Sequence, residues 1–234
     1  MVAQQVHPIT QPVAREHESA TASQRLSGVL DGCRIVLGLE KQRRRLATVL
    51  YADVVDYTRL TEEDEEGTHN RLIKYLDLLT SKIRSHGGHV AHYAGDAVLA
   101  EFGDVVSSVR CAVSVQELFA KLNSGLPVNR RVRFRIGLNM GEVICHRGDV
   151  YGNVVNIAAR LEGLAEPGGI VVSEFVRDNL GNHLAVACKS LGEQWIKNIS
   201  VPVRAHRLAF QSGSKYAKDS DNVVPLELLR QQLD

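Results

Sequence analysis

Four residues stand where packing alone does not call for them: Asp53, Asp96, Asn156 and Arg160. In "LYADVVDYT", Asp53 interrupts a β-branched, apolar run that otherwise reads as a buried strand. An isolated carboxylate there is costly unless it is paired, protonated or bound to a cation. In "VAHYAGDAVLAEFG", Asp96 follows Gly95 between two stretches of strand character, the pattern of a tight hairpin turn, and His92 stands on the strand before it. If this hairpin neighbours the first strand, the two carboxylates can converge. Paired carboxylates without a dedicated cage suit Mg²⁺, which keeps waters and takes further oxygens from a phosphate. The plain alternative is that Asp96 is an ordinary turn residue and Asp53 merely ends its strand. In "DVYGNVVNIAAR", Asn156 and Arg160 are four apart and share a helix face. Together they could stabilise charge on a transferring phosphoryl group. The alternative is an exposed arginine beside a structural asparagine.

The elements that must hold these residues follow from periodicity. "RLATVLYADVV" reads as a central strand. "TEEDEEGTHNRLIKYLDLLTSKIRSHGG" reads as one helix, opened by acids, with Leu72, Ile73, Leu76, Leu79 and Ile83 at helical spacing and a stop at Gly87-Gly88. After the hairpin, "DVVSSVRCAVSVQELFAKLN" reads as a second helix with Val106, Val109, Val113 and Leu122 inward. "RVRFRIGLNMGEVICHRGD" reads as two strands around Met140-Gly141. Strand, helix, hairpin, helix, strand is the ferredoxin-like βαββαβ order: an α+β fold, with an antiparallel sheet and helices on one face. A C-terminal α/β extension follows: the helix "YGNVVNIAARLEGLA", a strand and short helix in "IVVSEFVRDNLG", and closing strands up to Phe210.

The flanks differ in kind. Residues 1–43 form an N-terminal segment with one amphipathic helix carrying Leu26, Val29, Leu30, Cys33, Val36 and Leu37. Thr21 and Gln24 have capping-box spacing ahead of it. Such a helix could dimerise, transmit a signal or pack on its own domain. Residues 211–234 form a polar tail with one short apolar stretch, "PLELLRQQL".

Bulk properties exclude several classes. Among 234 residues, 44% are hydrophobic and 24% charged, which allows a sizeable core. A formal net charge of +1 gives no global field for nucleic acid or an anionic membrane. The short basic run from Lys41 to Arg45 reads as a solvated helix end or strand entry. The four cysteines are scattered, with no Cys-x-x-Cys pair, which argues against a zinc site or a disulfide framework. The N-terminal residues lack a signal-peptide core, and no run approaches the ~18 to 20 apolar residues of a membrane span. A cytoplasmic location is the expectation.

Four stretches occur in order: "ADVVDYTRL", "AGDAVLAEFG", "RFRIGLNMGEV" and "DVYGNVVNIAARLE". As a set they resemble the catalytic domain of class III nucleotidyl cyclases, over residues 44–210. The resemblance implies conversion of ATP to 3′,5′-cyclic AMP and pyrophosphate, with two Mg²⁺ or Mn²⁺ ions per site. It implies Asp53 and Asp96, with Val54, as metal-holding residues. It implies phosphate contacts from Arg135 and Lys197, substrate binding by Tyr57 and Thr58, and base reading by His92 and Asp149. Asn156 and Arg160 match the pair that orients the ribose and stabilises the transition state. The family forms head-to-tail homodimers. Asp53, Asp96 and Arg135 would then come from one subunit, and His92, Asp149, Lys197, Asn156 and Arg160 from the other.

Two positions depart from that pattern. His92 stands where adenylyl members usually carry lysine. Lysine only donates, whereas neutral histidine donates from one ring nitrogen and accepts at the other. The pair with Asp149 therefore permits ATP or GTP, with ATP the expectation because Asp149 follows the adenylyl pattern. Asp56 stands where the family commonly has glycine. It could weaken substrate binding, join the metal sphere or turn outward. The competing class is a nucleotide-binding regulatory module of the same fold with little or no catalysis. A diguanylate cyclase is disfavoured, because the hairpin reads Ala94-Gly95-Asp96-Ala97-Val98 without a Gly-Gly-Asp/Glu-Glu-Phe signature.

Overall fold

The computed structural model describes residues 43–210, except 182, 185 and 198. The amphipathic N-terminal stretch with its capping box, and the polar tail, lie outside the described residues. In chain order the elements are β1 (Arg43–Val54), α1 (Tyr57–Glu63), α2 (Glu65–Ser85), β2 (His89–Ala94), β3 (Ala97–Phe102) and α3 (Val105–Asn123). They continue as β4 (Phe134–His146), β5 (Asp149–Tyr151), α4 (Asn153–Gly163), β6 (Ile170–Ser173), α5 (Glu174–Leu180), β7 (Ala187–Gln194) and β8 (Val203–Ala209).

The strands form an eight-stranded sheet in the order β2-β3-β1-β4-β6-β8-β7, with β5 paired to the end of β4. β4 and β6 run parallel, and the other pairs are antiparallel. The β2-β3-β1-β4 half is the ferredoxin-like core expected from the sequence, and β6 to β8 are its extension.

Alternation along the strands assigns the faces. Leu50, Ala52 and Val54 of β1, and Phe134, Ile136 and Leu138 of β4, pack in one cluster with α2 and α3. Tyr75, Phe119 and Phe134 tie those two helices to the sheet, with ring centroids 4.7 Å apart for Tyr75–Phe119 and 5.2 Å for Phe119–Phe134. The Tyr75 hydroxyl donates to Asn123 Oδ1 at 3.0 Å, which satisfies the one polar atom of that ring. The alternate residues Ala47 and Val49 of β1, with Leu99, Val143 and Val150, pack with Ala158 of α4. The helices therefore cover both faces of the sheet, not one face as expected.

Three further expectations need correction. β4 is one continuous strand through Met140-Gly141. Gly141 serves close packing, not a turn: a Cβ there would sit 2.7 Å from Val154 Cγ2. The acidic stretch before α2 is not one helix, because Asp64 separates α1 from α2 and accepts from the Gly67 amide at 2.9 Å as an N-cap. Ile73 faces solvent at 45% exposure, while Leu72, Leu79 and Ile83 are buried. The stop after α2 is as expected. Gly87, at φ 75°, ends the helix, and the Gly88 amide donates to Ile83 O at 2.9 Å in a Schellman arrangement.

Candidate functional site

β1 and β4 pair over their full length, which places Asp53 directly opposite Arg135. Both belong to the strand registers that face α4. The β2–β3 turn contains only Gly95 and Asp96 between the paired residues Ala94 and Ala97. Gly95 takes φ 64° there, as the first turn position of a type II′ hairpin requires. β3 lies against β1, so Asp96 meets Asp53. Burial first, then the Asp96 charge and a hydrogen bond with Asp96, hold the Asp53 carboxyl above its usual value. The Val54 amide and Arg135 pull it the other way.

A third acid enters from α4. Arg135 Nε lies 2.6 Å from Glu162 Oε1, while Arg135 Nη2 stands 3.7 Å from Asp53 Oδ2. Glu162 is buried, with 5% of its surface exposed. Its carboxyl is pushed up to about 7, chiefly by burial; Asp53 and Asp96 add to the effect and Arg135 opposes it. Glu162 was not among the residues singled out from sequence. It shares the inner face of α4 with Ala158, one turn earlier, and a charge in phase with a buried alanine was the available signal.

His92 and Asp149 form a separate pair, Nδ1 to Oδ1 at 2.8 Å. The Val150 amide donates to the same Asp149 oxygen at 2.7 Å. Burial pushes the Asp149 carboxyl up, but hydrogen bonds from His92, the Val150 amide and Tyr151 bring it below its usual value. An ionised carboxylate only accepts, so His92 Nδ1 donates, and Nε2 of the neutral ring is left as an acceptor. Arg147 and Gly148, both at positive φ, make the two-residue turn that brings Asp149 back along β4.

The other candidates do not join either group. Asn156 and Arg160 are exposed, on the side of α4 away from the buried Ala158, Leu161 and Glu162. Lys197 is exposed between β7 and β8, at the opposite edge of the sheet from the Gly95-Asp96 turn. Val54 is buried, so only its main chain could serve an ion. The Tyr57 ring packs on the main core, whereas Thr58 is exposed. Asp56 is exposed and turned outward in a left-handed conformation, φ 54°. It precedes α1 without a side-chain cap bond.

The donor set fits a divalent cation of the Mg²⁺ type. Asp53 and Asp96 crowd enough to raise the proton affinity of Asp53, a repulsion that a cation relieves. Among the described residues no three His, Cys, Asp or Glu side chains gather into a cage. Water and phosphate oxygens would complete the sphere, as they do for Mg²⁺.

A β2-β3-β1-β4 sheet with carboxylates at the first strand and the hairpin turn is the framework of a class III nucleotidyl cyclase domain. Residues 39–208 match the model of the adenylate and guanylate cyclase catalytic domain. The chain belongs to that family. It is 39% identical over 165 residues to putative adenylate cyclase 3 of Rhizobium meliloti, covering 70% of this chain and 28% of that protein. The adenylate/guanylate cyclase/hydrolase crystal structure from Silicibacter pomeroyi is 34% identical at a TM-score of 0.69, covering 73% of this chain and all of that one. The adenylyl cyclase CyaB of P. aeruginosa shares the fold at a TM-score of 0.66 and 23% identity, covering 73% of this chain and 97% of that one. Among the described residues no helix is long and apolar enough to cross a membrane.

Proposed function

We propose that the chain converts ATP to 3′,5′-cyclic AMP and pyrophosphate at sites shared by two copies of itself. One observation carries this reading. Asp53 and Asp96 converge beside Arg135, while Asn156 and Arg160 point outward from the other side of α4. No single copy turns both groups toward the same nucleotide, and a second copy can supply the missing set.

In this reading Asp53 and Asp96, with the Val54 carbonyl, hold two divalent cations. Those cations, when bound, activate the ribose 3′-hydroxyl and brace the triphosphate. Arg135, with Tyr57 and Thr58 at the start of α1, holds the phosphates, and Lys197 adds a positive charge from the partner copy. Asn156 orients the ribose. Arg160 stabilises the charge that develops as the 3′-oxygen bonds to the α-phosphorus and the bond to pyrophosphate breaks. His92 and Asp149 face the base.

The His92–Asp149 bond favours a second reading, relaxed or GTP-directed specificity. With Nδ1–H committed to Asp149, neutral His92 offers an acceptor where lysine would donate. Guanine presents N1–H and N2–H donors at its edge, and adenine only its N6 amino group.

The test is turnover of ATP and GTP, side by side, with Mg²⁺ and with Mn²⁺. Cyclic AMP formation that is lost in Asp53→Ala supports the reading. The absence of any cyclic nucleotide from either substrate overturns it in favour of a binding module.

A further inference from the structure

Arg135 stands between two carboxylates on different elements and is closer to the one that is not on its sheet. Its Nε is 2.6 Å from Glu162 Oε1, and its Nη2 is 3.7 Å from Asp53 Oδ2, beyond hydrogen-bond length. Yet Asp53 is its direct cross-strand partner, the position from which an arginine fork normally closes on a carboxylate. We propose that Glu162 is a positioning residue that draws the Arg135 guanidinium off Asp53, leaving the Asp53 oxygens open to a divalent cation. This rests on the metal-assisted reading above.

The backbone is built to deliver Glu162 to that place. Arg135, Gly137 and Asn139 share one face of β4, and α4 lies directly on it. A Cβ at Gly137 would sit 2.1 Å from Ala158 O and 2.4 Å from Glu162 N. The glycine lets the helix approach until the Glu162 side chain reaches the arginine two residues along the strand. Asn139 Nδ2 donates to Val154 O at 3.1 Å and anchors the other end of the helix on the same strand face. Glu162 itself is buried and makes no other ion pair among the described residues.

Two consequences follow from charge and reach. With Glu162 present, the ion pair draws the Nε edge of Arg135 toward α4, and its Nη groups, which make no hydrogen bond with Asp53, can reach a phosphate. Without it, the guanidinium can close on Asp53 and occupy the oxygens a cation needs. Loss of Glu162 therefore weakens cation binding through the freed guanidinium, on top of the modest weakening that removing a nearby negative charge causes by itself. The distinguishing feature is dependence on Arg135: most of the effect of Glu162 must disappear when the arginine is absent.

The test is Mn²⁺ binding to the purified full chain, read by electron paramagnetic resonance without nucleotide, alongside KM and kcat. Glu162→Gln should raise the Mn²⁺ dissociation constant roughly tenfold or more, the usual scale for a residue behind a metal ligand. KM for the nucleotide should rise more than kcat falls. In an Arg135→Ala background, Glu162→Gln should change Mn²⁺ binding only by the small amount that loss of a nearby charge gives, far below tenfold. Glu162→Asp, one methylene shorter, should recover part of the loss, and it replaces the Gln variant if that one fails to fold. Equal Mn²⁺ affinity in wild type and Glu162→Gln, or an undiminished effect without Arg135, overturns the proposal. Asp53→Ala separates the two readings. If it leaves Mn²⁺ binding intact, the metal site itself is wrong; if it abolishes binding while Glu162→Gln does nothing, only the positioning role is wrong.

Discussion

His92 and Asp149 lie 57 residues apart in the chain, yet their side chains meet at 2.8 Å. The contact joins the β2 edge strand to the short β5 ribbon and places a proton on His92 Nδ1, facing the Asp149 carboxylate. His92→Lys restores a donor in its place. The ratio of ATP to GTP turnover should rise by about tenfold, the scale of one exchanged hydrogen bond at ~1–3 kcal/mol. An unchanged ratio would show that this pair does not face the base.

Asp96→Ala and Arg160→Ala remove one residue from each half of the proposed shared site. Each variant alone should be inactive. Mixed in equal amounts they should regain activity, because a heterodimer keeps one intact site. Recovery of nothing on mixing counts against sites shared between copies.

Gly137→Ala places a methyl group against the main chain of α4, at 2.1 Å from Ala158 O. Backbone cannot swing aside as a flexible side chain does. The expected loss of stability is ~1–3 kcal/mol or more, read by urea denaturation. Activity should fall further than stability, because the helix carries Glu162, Asn156 and Arg160 together.

Asp56 holds a left-handed conformation, φ 54°, that glycine adopts without cost. Asp56→Gly should relieve left-handed strain of about 1–2 kcal/mol, offset in part by glycine's greater freedom in the unfolded chain, for a net stabilisation of about 0.5–1 kcal/mol. It also removes a negative charge next to Tyr57 and Thr58, so KM for the nucleotide should fall. A rise in KM would show that the carboxylate helps to hold the substrate or its cations.

Glu162 gives the stability curve a pH signature. Its carboxyl is raised from 4.5 to about 7 in the folded chain, so the folded state binds the extra proton. Stability then falls as pH climbs from about 4.5 to about 7, and levels off above. Glu162→Gln should flatten that part of the curve, measured as unfolding free energy in metal-free buffer. Identical slopes in both proteins would show that the carboxyl titrates alike in folded and unfolded chains.

Much of this arrangement was legible from residue order. Asp53 in an apolar strand and Asp96 after Gly95 marked themselves by being costly or turn-forming, and register alone brings them together. What escaped reading were features set by the sheet's two faces. Gly141 looked like a turn because strand breaks and close-packed strand glycines have the same local signature, and only the approach of Val154 tells them apart. The placement of α4 opposite α2 and α3 follows from alternation in β1 and β4, but a fully buried strand is apolar at every position and hides which side each residue takes. Asp64 was read as an early helical acid because a cap and a first-turn acid are chemically alike. Glu162 was not singled out, because its partner Arg135 lies on another element and only the packing of α4 on β4 brings the two together.

β4 is hydrogen-bonded to β1 along one side and to β6 and β5 along the other. Each of its amides is released when the ladder on that amide's own side parts, and the whole strand comes free only when both flanks open, which marks it as a slowly exchanging segment. Local fluctuation can thus fray the sheet's outer strands while Arg135 stays on a strand paired along both sides.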